Sequence, residues 1–376
     1  MSVDLSTLKE PVFVFSDWES LYKEIVSAYE RAAGVTLSKG QVESILLSIF
    51  AYRENLLRIM MNEVAKQNLL AYARGEVLDH LGALLGVSRL PARPAITTLR
   101  FYFDQELPQE ILLPRGTRVA SQDRKVVFAT DRDIQVSPGT TYVDVTATCE
   151  TPGTIGNGYL QGQITELIDV IPYIASVENI SISYGGADVE DDEHFRERIQ
   201  LAPEHFSTAG TEGGYRYWAM TAHQDIADVA VWSDSPGHVR VAVLMKGGGL
   251  PSQEVLDLVQ KTLSAERVRP LTDWVSVEAP EQIFYEIKAD LFLYKSHSML
   301  AQNILEAAQA RLERYAQMKK ERLGQDIVPE QIVGVLQKIS GVYRAIVISP
   351  SYIELKKNQV AICQNITITI AGSVDG

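Results

Sequence analysis

The chain has 376 residues, which at about 150 residues per domain corresponds to two to three domains, each large enough to bury a core. Hydrophobic residues make up 46% and charged residues 22%, the balance of an ordinary globular protein, which excludes both disorder as the main state and a peptide-sized scaffold. With 35 basic against 48 acidic residues the net charge is -13, so the surface repels phosphate backbones and anionic lipid and disfavours non-specific nucleic-acid binding.

The first ninety residues read as helical, because apolar residues recur at three- and four-residue spacing and no proline falls between Pro11 and Pro91. Asp17 is the expected N-cap of a first helix, with Leu21, Tyr22, Ile25, Tyr29 and Ala32 on one face and Gly34 as its stop. Ser38 and Gln41 have the spacing of a capping box ahead of a second helix, expected to reach about Ala73. At ~1.5 Å per residue that helix would be about 45 to 50 Å long. Its stripe of Leu46, Ile49, Leu56, Met60 and Val64 is longer than two short neighbouring helices can cover, so the stripe is the expected partner interface.

After Pro91 and Pro94 the period changes to alternation: Leu99, Phe101 and Phe103, then Val143, Val145, Ala147 and Cys149. Turns at Pro114-Arg115-Gly116, Pro138-Gly139 and Pro152-Gly153 break this stretch into short strands. From residue 188 helices and strands mix: helices over 188–201, 211–224 and 251–266, strands at Val229–Trp232 and Val239–Leu244, then a strand at 283–295, helices at 299–319 and 329–339, and strands near 343–348 and 359–370. Ile226-x-x-Val229 with Ser235-Pro236 is echoed by Ile339-x-x-Val342 with Ser349-Pro350, as an internal duplication would leave. The fold class expected is α+β multidomain: an N-terminal long-helix region at 1–90, an inserted small all-β domain at 91–185, and one or two C-terminal α/β sandwich-like domains, at 186–281 and 282–376.

Chemistry is sparse. HExxH, GxSxG, P-loop and CxxC patterns are absent, and the six histidines have no ligand spacing. Cys149 and Cys363 cannot make a disulfide framework or a four-ligand zinc site, and Cys149 falls in phase with inward-facing residues. The acidic run from Asp188 to Glu193 fails the calcium-loop pattern, since Glu193 stands where the glycine should be. It reads as a solvated first turn of a helix, favoured by the helix dipole and followed by Arg196 and Arg198. Glycines 153, 156, 158 and 162 lie in β-rich sequence and make no phosphate cradle, while Gly247-Gly248-Gly249 reads as a strand-to-helix turn. The amino terminus lacks the basic and apolar regions of a secretion signal, and no uncharged apolar run approaches the ~18 residues of a membrane span. Retention in the cytoplasm is expected unless something larger carries the chain out.

Four blocks in order carry a resemblance. The first is Gln67-Asn68-Leu69-Leu70-Ala71-Tyr72-Ala73-x-Gly75-x-x-Leu78-Asp79-x-Leu81-Gly82 with Val87-x-Arg89-Leu90. The second is Gly153-x-x-Gly156-Asn157, Gly162, Val177-x-Asn179, Gly185-Gly186-Ala187-Asp188-x-Glu190 and Arg196-x-Arg198-Ile199. Ser207-x-Ala209-Gly210-Thr211 with Gly214-Tyr215, and Val268-Arg269-Pro270-Leu271-Thr272-Asp273-x-Val275, complete the set. Together they resemble the Baseplate J-like family of contractile phage tails and related injection particles. The resemblance implies a non-enzymatic baseplate wedge protein without cofactor or metal, present in two conformations per wedge and joined into a ring around the sixfold axis. Its expected partners are a second copy, other wedge subunits, the spike hub and the sheath, in a virion baseplate assembled in the bacterial cytoplasm. The Pro91–Pro94 linker and Gly185 with Gly186, where φ is permissive, are the expected hinges. A tail-associated hydrolase and a receptor-binding tail protein are the alternatives.

Overall fold

The computed structural model describes residues 4–103, 107, 109–206, 210–266 and 268–375. Ser207 and Ala209 of the third sequence block lie outside the described residues. Contacts divide the chain into two units, Met1–Arg89 with Phe195–Gln200, and Leu90–His194 with Leu201–Gly376.

In the first unit α1 (Trp18–Ala33) starts where Asp17 accepts from the Ser20 amide at 2.9 Å and stops at Gly34, whose φ of 67° is left-handed. The second helix, α2 (Val42–Lys66), is shorter than the periodicity implies, about 37 Å. Asn68 ends it by donating to the Val64 and Ala65 carbonyls at 3.3 and 3.2 Å, and Gln67 turns its amide to Tyr72 O and the Arg74 amide. Only half of the capping box forms: Gln41 accepts from the Ser38 amide at 2.9 Å, but Gln41 itself precedes the helix and no side chain caps it. A third helix, α3 (Gly75–Ala83), buries Leu78, and its Gly82 leaves room for Phe195, since a Cβ there would lie 2.6 Å from that ring.

The β region of the second unit is a six-stranded antiparallel sheet. Its strands are β1 (Ile96–Phe103), β3 (Arg118–Ser121), β4 (Val127–Thr130), β6 (Tyr142–Cys149), β7 (Ile164–Leu167) and β8 (Ile174–Asn179) in the order β7-β3-β4-β6-β1-β8. A small pair, β2 (Ile111–Leu113) with β5 (Ile134–Val136), stands apart from it. The alternating residues Leu99, Phe101, Val145, Ala147 and Cys149 all point into one core with Phe128 and Val177. Asn179 draws the two edge strands together: at the end of β8 it accepts from the Gln163 and Ile164 amides at 3.0 and 2.9 Å, where β7 begins. Its amide nitrogen donates to the Leu160 and Ser181 carbonyls at 2.9 and 2.8 Å. This one buried side chain curls the sheet toward a barrel.

The helix α4 (Asp192–Leu201) follows, and its residues Phe195–Gln200 belong to the first unit. A three-stranded sheet, ordered β11-β10-β9, is then built from β9 (Ile226–Ser235), β10 (His238–Met245) and β11 (Trp274–Glu278), with α5 (Glu212–Ala222) and α6 (Gln253–Leu263) packed on it. Tyr215 on α5 donates to Asp273 at 2.7 Å ahead of β11, and desolvation and that carboxylate raise the phenol's pKa. A second three-stranded sheet comprises β12 (Glu281–Tyr294), β13 (Val342–Ser349) and β14 (Gln359–Val374), covered by α7 (Ala301–Lys320) and α8 (Pro329–Gln337). The chain is therefore α+β and multidomain in class, as its patterns imply. The two sheets are not a duplication. Ser235-Pro236 makes a hairpin turn between neighbours, whereas Ser349-Pro350 closes β13, and β14 crosses to the far side of β12. Replacing Asn179 with alanine removes four buried hydrogen bonds and takes the side-chain acceptor from the Ile164 amide, so we expect a loss of about 2 to 3 kcal/mol in the stability of the β region, read as a lower urea midpoint.

Candidate assembly interface

The face of α2 that α1 and the preceding segment cover is small and polar: its buried residues are Ser44, Ala51 and Asn62. Seven and eleven residues separate them, so they share one side of the helix. Ser44 shares a 2.6 Å hydrogen bond with the Tyr22 hydroxyl. Asn62 accepts from the Phe13 and Val14 amides, both at 2.9 Å, and donates to Val14 O at 2.6 Å. One turn before and one turn after it on the same side, Arg58 donates to Phe15 O at 3.1 Å and Lys66 pairs with Glu10 and Glu63. A strap of residues 10–15 is thereby tied to α2 by polar contacts.

The opposite side carries the residues singled out from sequence. Leu46, Ile49, Leu56, Met60 and Val64 are 40% to 62% exposed within the chain, and Val42, Phe50, Leu57 and Met61 widen the band. On the strap, at the other side of the helix, Val12, Phe13 and Phe15 are also exposed. A helix that turns its small residues inward and its large apolar residues outward reverses the usual amphipathic arrangement. Large exposed apolar patches are characteristic of interaction sites in general.

Of the acidic run, Asp188, Asp191 and Glu193 are exposed and Asp192 and Glu193 open α4, as the sequence implies, but Glu190 departs from the expectation of a solvated run. Glu190 is buried: it accepts from the Leu90 amide at 2.8 Å and lies 2.5 Å from His194 Nδ1. Asp188 accepts from the Thr154 amide and hydroxyl, both at 2.9 Å, and these bonds hold its carboxyl below the usual range. Asp191 caps α4 through the His194 amide at 2.8 Å. Arg196 and Arg198 are buried as well. Arg196 donates to the Leu70 and Ala73 carbonyls, each at 2.7 Å, and Arg198 to Ser88 O at 3.2 Å. Sequence reasoning missed these two as carbonyl clamps; the signal was two arginines one turn into a helix that also carries the apolar Phe195 and Ile199.

Gly185 has a φ of 82°, and a Cβ there would meet only Ile96, at 3.8 Å. Gly186 is enclosed: Asn157 accepts from its amide at 2.8 Å and donates to its carbonyl at 2.7 Å, and a Cβ would stand 2.4 Å from Gly153 O. The two expected hinges pair with one another, through bridges between Arg93 and Ala187 and between Ile96 and Tyr184. Among the described residues no group of three or more His, Cys, Asp or Glu side chains could hold a metal, and no helix is long and apolar enough to cross a membrane. A groove of about 300 Å³ beside α5 and α6 is lined, among the described residues, by Trp218, Leu258, Lys261, Thr262, Ala265 and Val268.

Models of four domains match the chain in order: the Baseplate J-like N-terminal domain over residues 43–95, the Baseplate J-like protein barrel domain over 98–186, the central domain over 207–279 and the C-terminal domain over 285–369. Baseplate protein J of Escherichia phage P2 is 34% identical over 202 residues, which is 53% of this chain and 66% of that protein. The Phage-like element PBSX protein XkdT of Bacillus subtilis is 23% identical over 206 residues, 55% of this chain and 51% of that protein. The chain thus spans less than two thirds of the length of the curated relatives it matches. A chain of the anti-feeding prophage baseplate, solved by cryo-EM, aligns with a TM-score of 0.46 at 15% identity, covering 92% of this chain and 90% of that one. With all four domain models matched from residue 43 to residue 369, the chain belongs to the Baseplate J-like family.

Proposed function

We propose that this chain is a structural subunit of the baseplate wedge of a contractile tail, joined with other copies into a ring around the spike hub and passing the contraction trigger to the sheath. Its site of action is then the tail baseplate, assembled in the host cytoplasm, and its domains are 1–90, 91–185, 186–281 and 282–376. The observation that carries this reading is the reversed α2, whose outward band suits a helix meant to be covered by a second copy or a neighbouring wedge subunit. With Leu46, Ile49, Leu56, Met60 and Val64 about half exposed, roughly 4 to 8 kcal/mol of burial is still available to a partner. That gain competes with the costs of association, so interfaces elsewhere share the load.

A trigger needs two packings of similar free energy. In this proposal Gly185 is the pivot, and the Asn157 clamp on Gly186, with the paired 93–96 segment, is its latch.

Three outcomes test the reading. Leu46→Asp with Leu56→Asp should abolish co-purification with the other baseplate components while circular dichroism stays native; a folded double mutant that still assembles would sink it. Asn157→Ala should speed amide exchange at residues 184–187 and lower the stimulus needed for contraction, and tails with an unaltered threshold would remove the latch. The purified chain should show no peptidoglycan or glycan hydrolysis, because the Glu190 carboxylate is already committed to Leu90 and His194. Turnover lost on Glu190→Gln would replace the structural reading with an enzymatic one.

A further inference from the structure

The strand β14 ends its sheet, with β12 on one side of it. On the other side Leu323 bridges Val360, and the Gly324 amide reaches Gln359 O. From Ala361 to Val374 no strand pairs with that outer side among the described residues. Protected edges carry charge, proline or bulges, because a bare edge is a template for another strand. Between Asn358 and Val374 there is no charged residue and no proline. Two register shifts are present, opposite Tyr285/Glu286 and Leu291/Phe292, and they leave Ile366–Ile370 regular against Ile287–Leu291. The opposite edge differs, since β13 carries the exposed Arg344.

That regular stretch reads Ile366-Thr367-Ile368-Thr369-Ile370, the same in both directions. We propose that it pairs with the same stretch of a second copy of this chain, antiparallel and centred on Ile368, so that the sheet continues from one copy into the next. A twofold interface requires residue i to meet j while j meets i. The palindrome meets that condition: Thr367 falls opposite the partner's Thr369 and Ile366 opposite the partner's Ile370, favourable cross-strand pairs. Ile366 and Ile368 already rest on the core under α7, so pairing extends an existing apolar layer, while Thr367 and Thr369 are exposed on the other face. Copies with a net charge of -13 repel one another, and an uncharged edge is where their approach costs least. An unrelated extended segment would gain the same backbone bonds without this self-match.

Sedimentation of the purified full chain tests this interface separately from the α2 stripe. The wild type should self-associate. Thr367→Lys with Thr369→Lys places lysines opposite lysines and should lower the mass, as should the corresponding double glutamate variant, and an equimolar mixture of the two should restore it. A monomeric wild type, a mass that ignores the lysine pair, or a mixture that fails to recover would each overturn the pairing. Should the double variants fold poorly, Ile368→Cys in a Cys363→Ser background gives an independent result. Mild oxidation should link two copies at the twofold, where opposed strands bring Cα atoms within disulfide range, and the absence of that link would overturn the proposal.

Discussion

A long helix whose buried side is Ser44, Ala51 and Asn62 gains little from burial and must be held by hydrogen bonds. That constraint organises the first unit. Asn62, Arg58 and Lys66 bind the strap at 10–15, Tyr22 binds Ser44, and the large apolar residues are left for the outer side. Polar contacts fix which way the helix faces without consuming its hydrophobic surface. The outward residues keep burial energy that the chain itself does not use, which is what the proposed assembly interface would draw on.

Desolvated polar groups perform a second kind of fixing. Arg196 and Arg198 meet backbone carbonyls at Leu70, Ala73 and Ser88, and the Arg89 guanidinium lies 4.8 Å over the Phe195 ring while pairing with Asp79 at 2.8 Å. Glu190 meets the Leu90 amide. Such groups are costly to bury unless fully paired, and removal of one partner strands the other. Other positions leave little room for substitutes on steric and hydrogen-bonding grounds: Gly82 for space, Asn179 for four hydrogen bonds, Gly186 for its approach to a carbonyl.

The second unit manages its sheets in different ways. Asn179 joins the edges of the six-stranded sheet, so little of them is left open. In the sheet of β12 to β14 one edge is charged and the other is not, an asymmetry that suits a surface with a single intended neighbour. Between the two small sheets Asp228 accepts from the Leu323 amide at 2.9 Å and pairs with Arg216 at 2.7 Å, beside an apolar cluster of Ala242, Leu244, Leu323 and Val360.

The sequence by itself determined the element types, the cap at Asp17 and stop at Gly34, the inward alternation through Leu99 to Phe103 and Val143 to Cys149, and the outward stripe of α2. Each is set by neighbours within a few positions, where period, side-chain volume and capping chemistry act directly. Only the tertiary structure decided the end of α2, the burial of Glu190, the clamping roles of Arg196 and Arg198, and the crossing of β14 to the far side of β12. These depend on groups far apart in the chain: 100 residues separate Leu90 from Glu190, and 126 separate Leu70 from Arg196. An arginine reads the same in sequence whether its guanidinium meets water or a buried carbonyl, because the distinction lies in desolvation, which arises only once distant segments have packed.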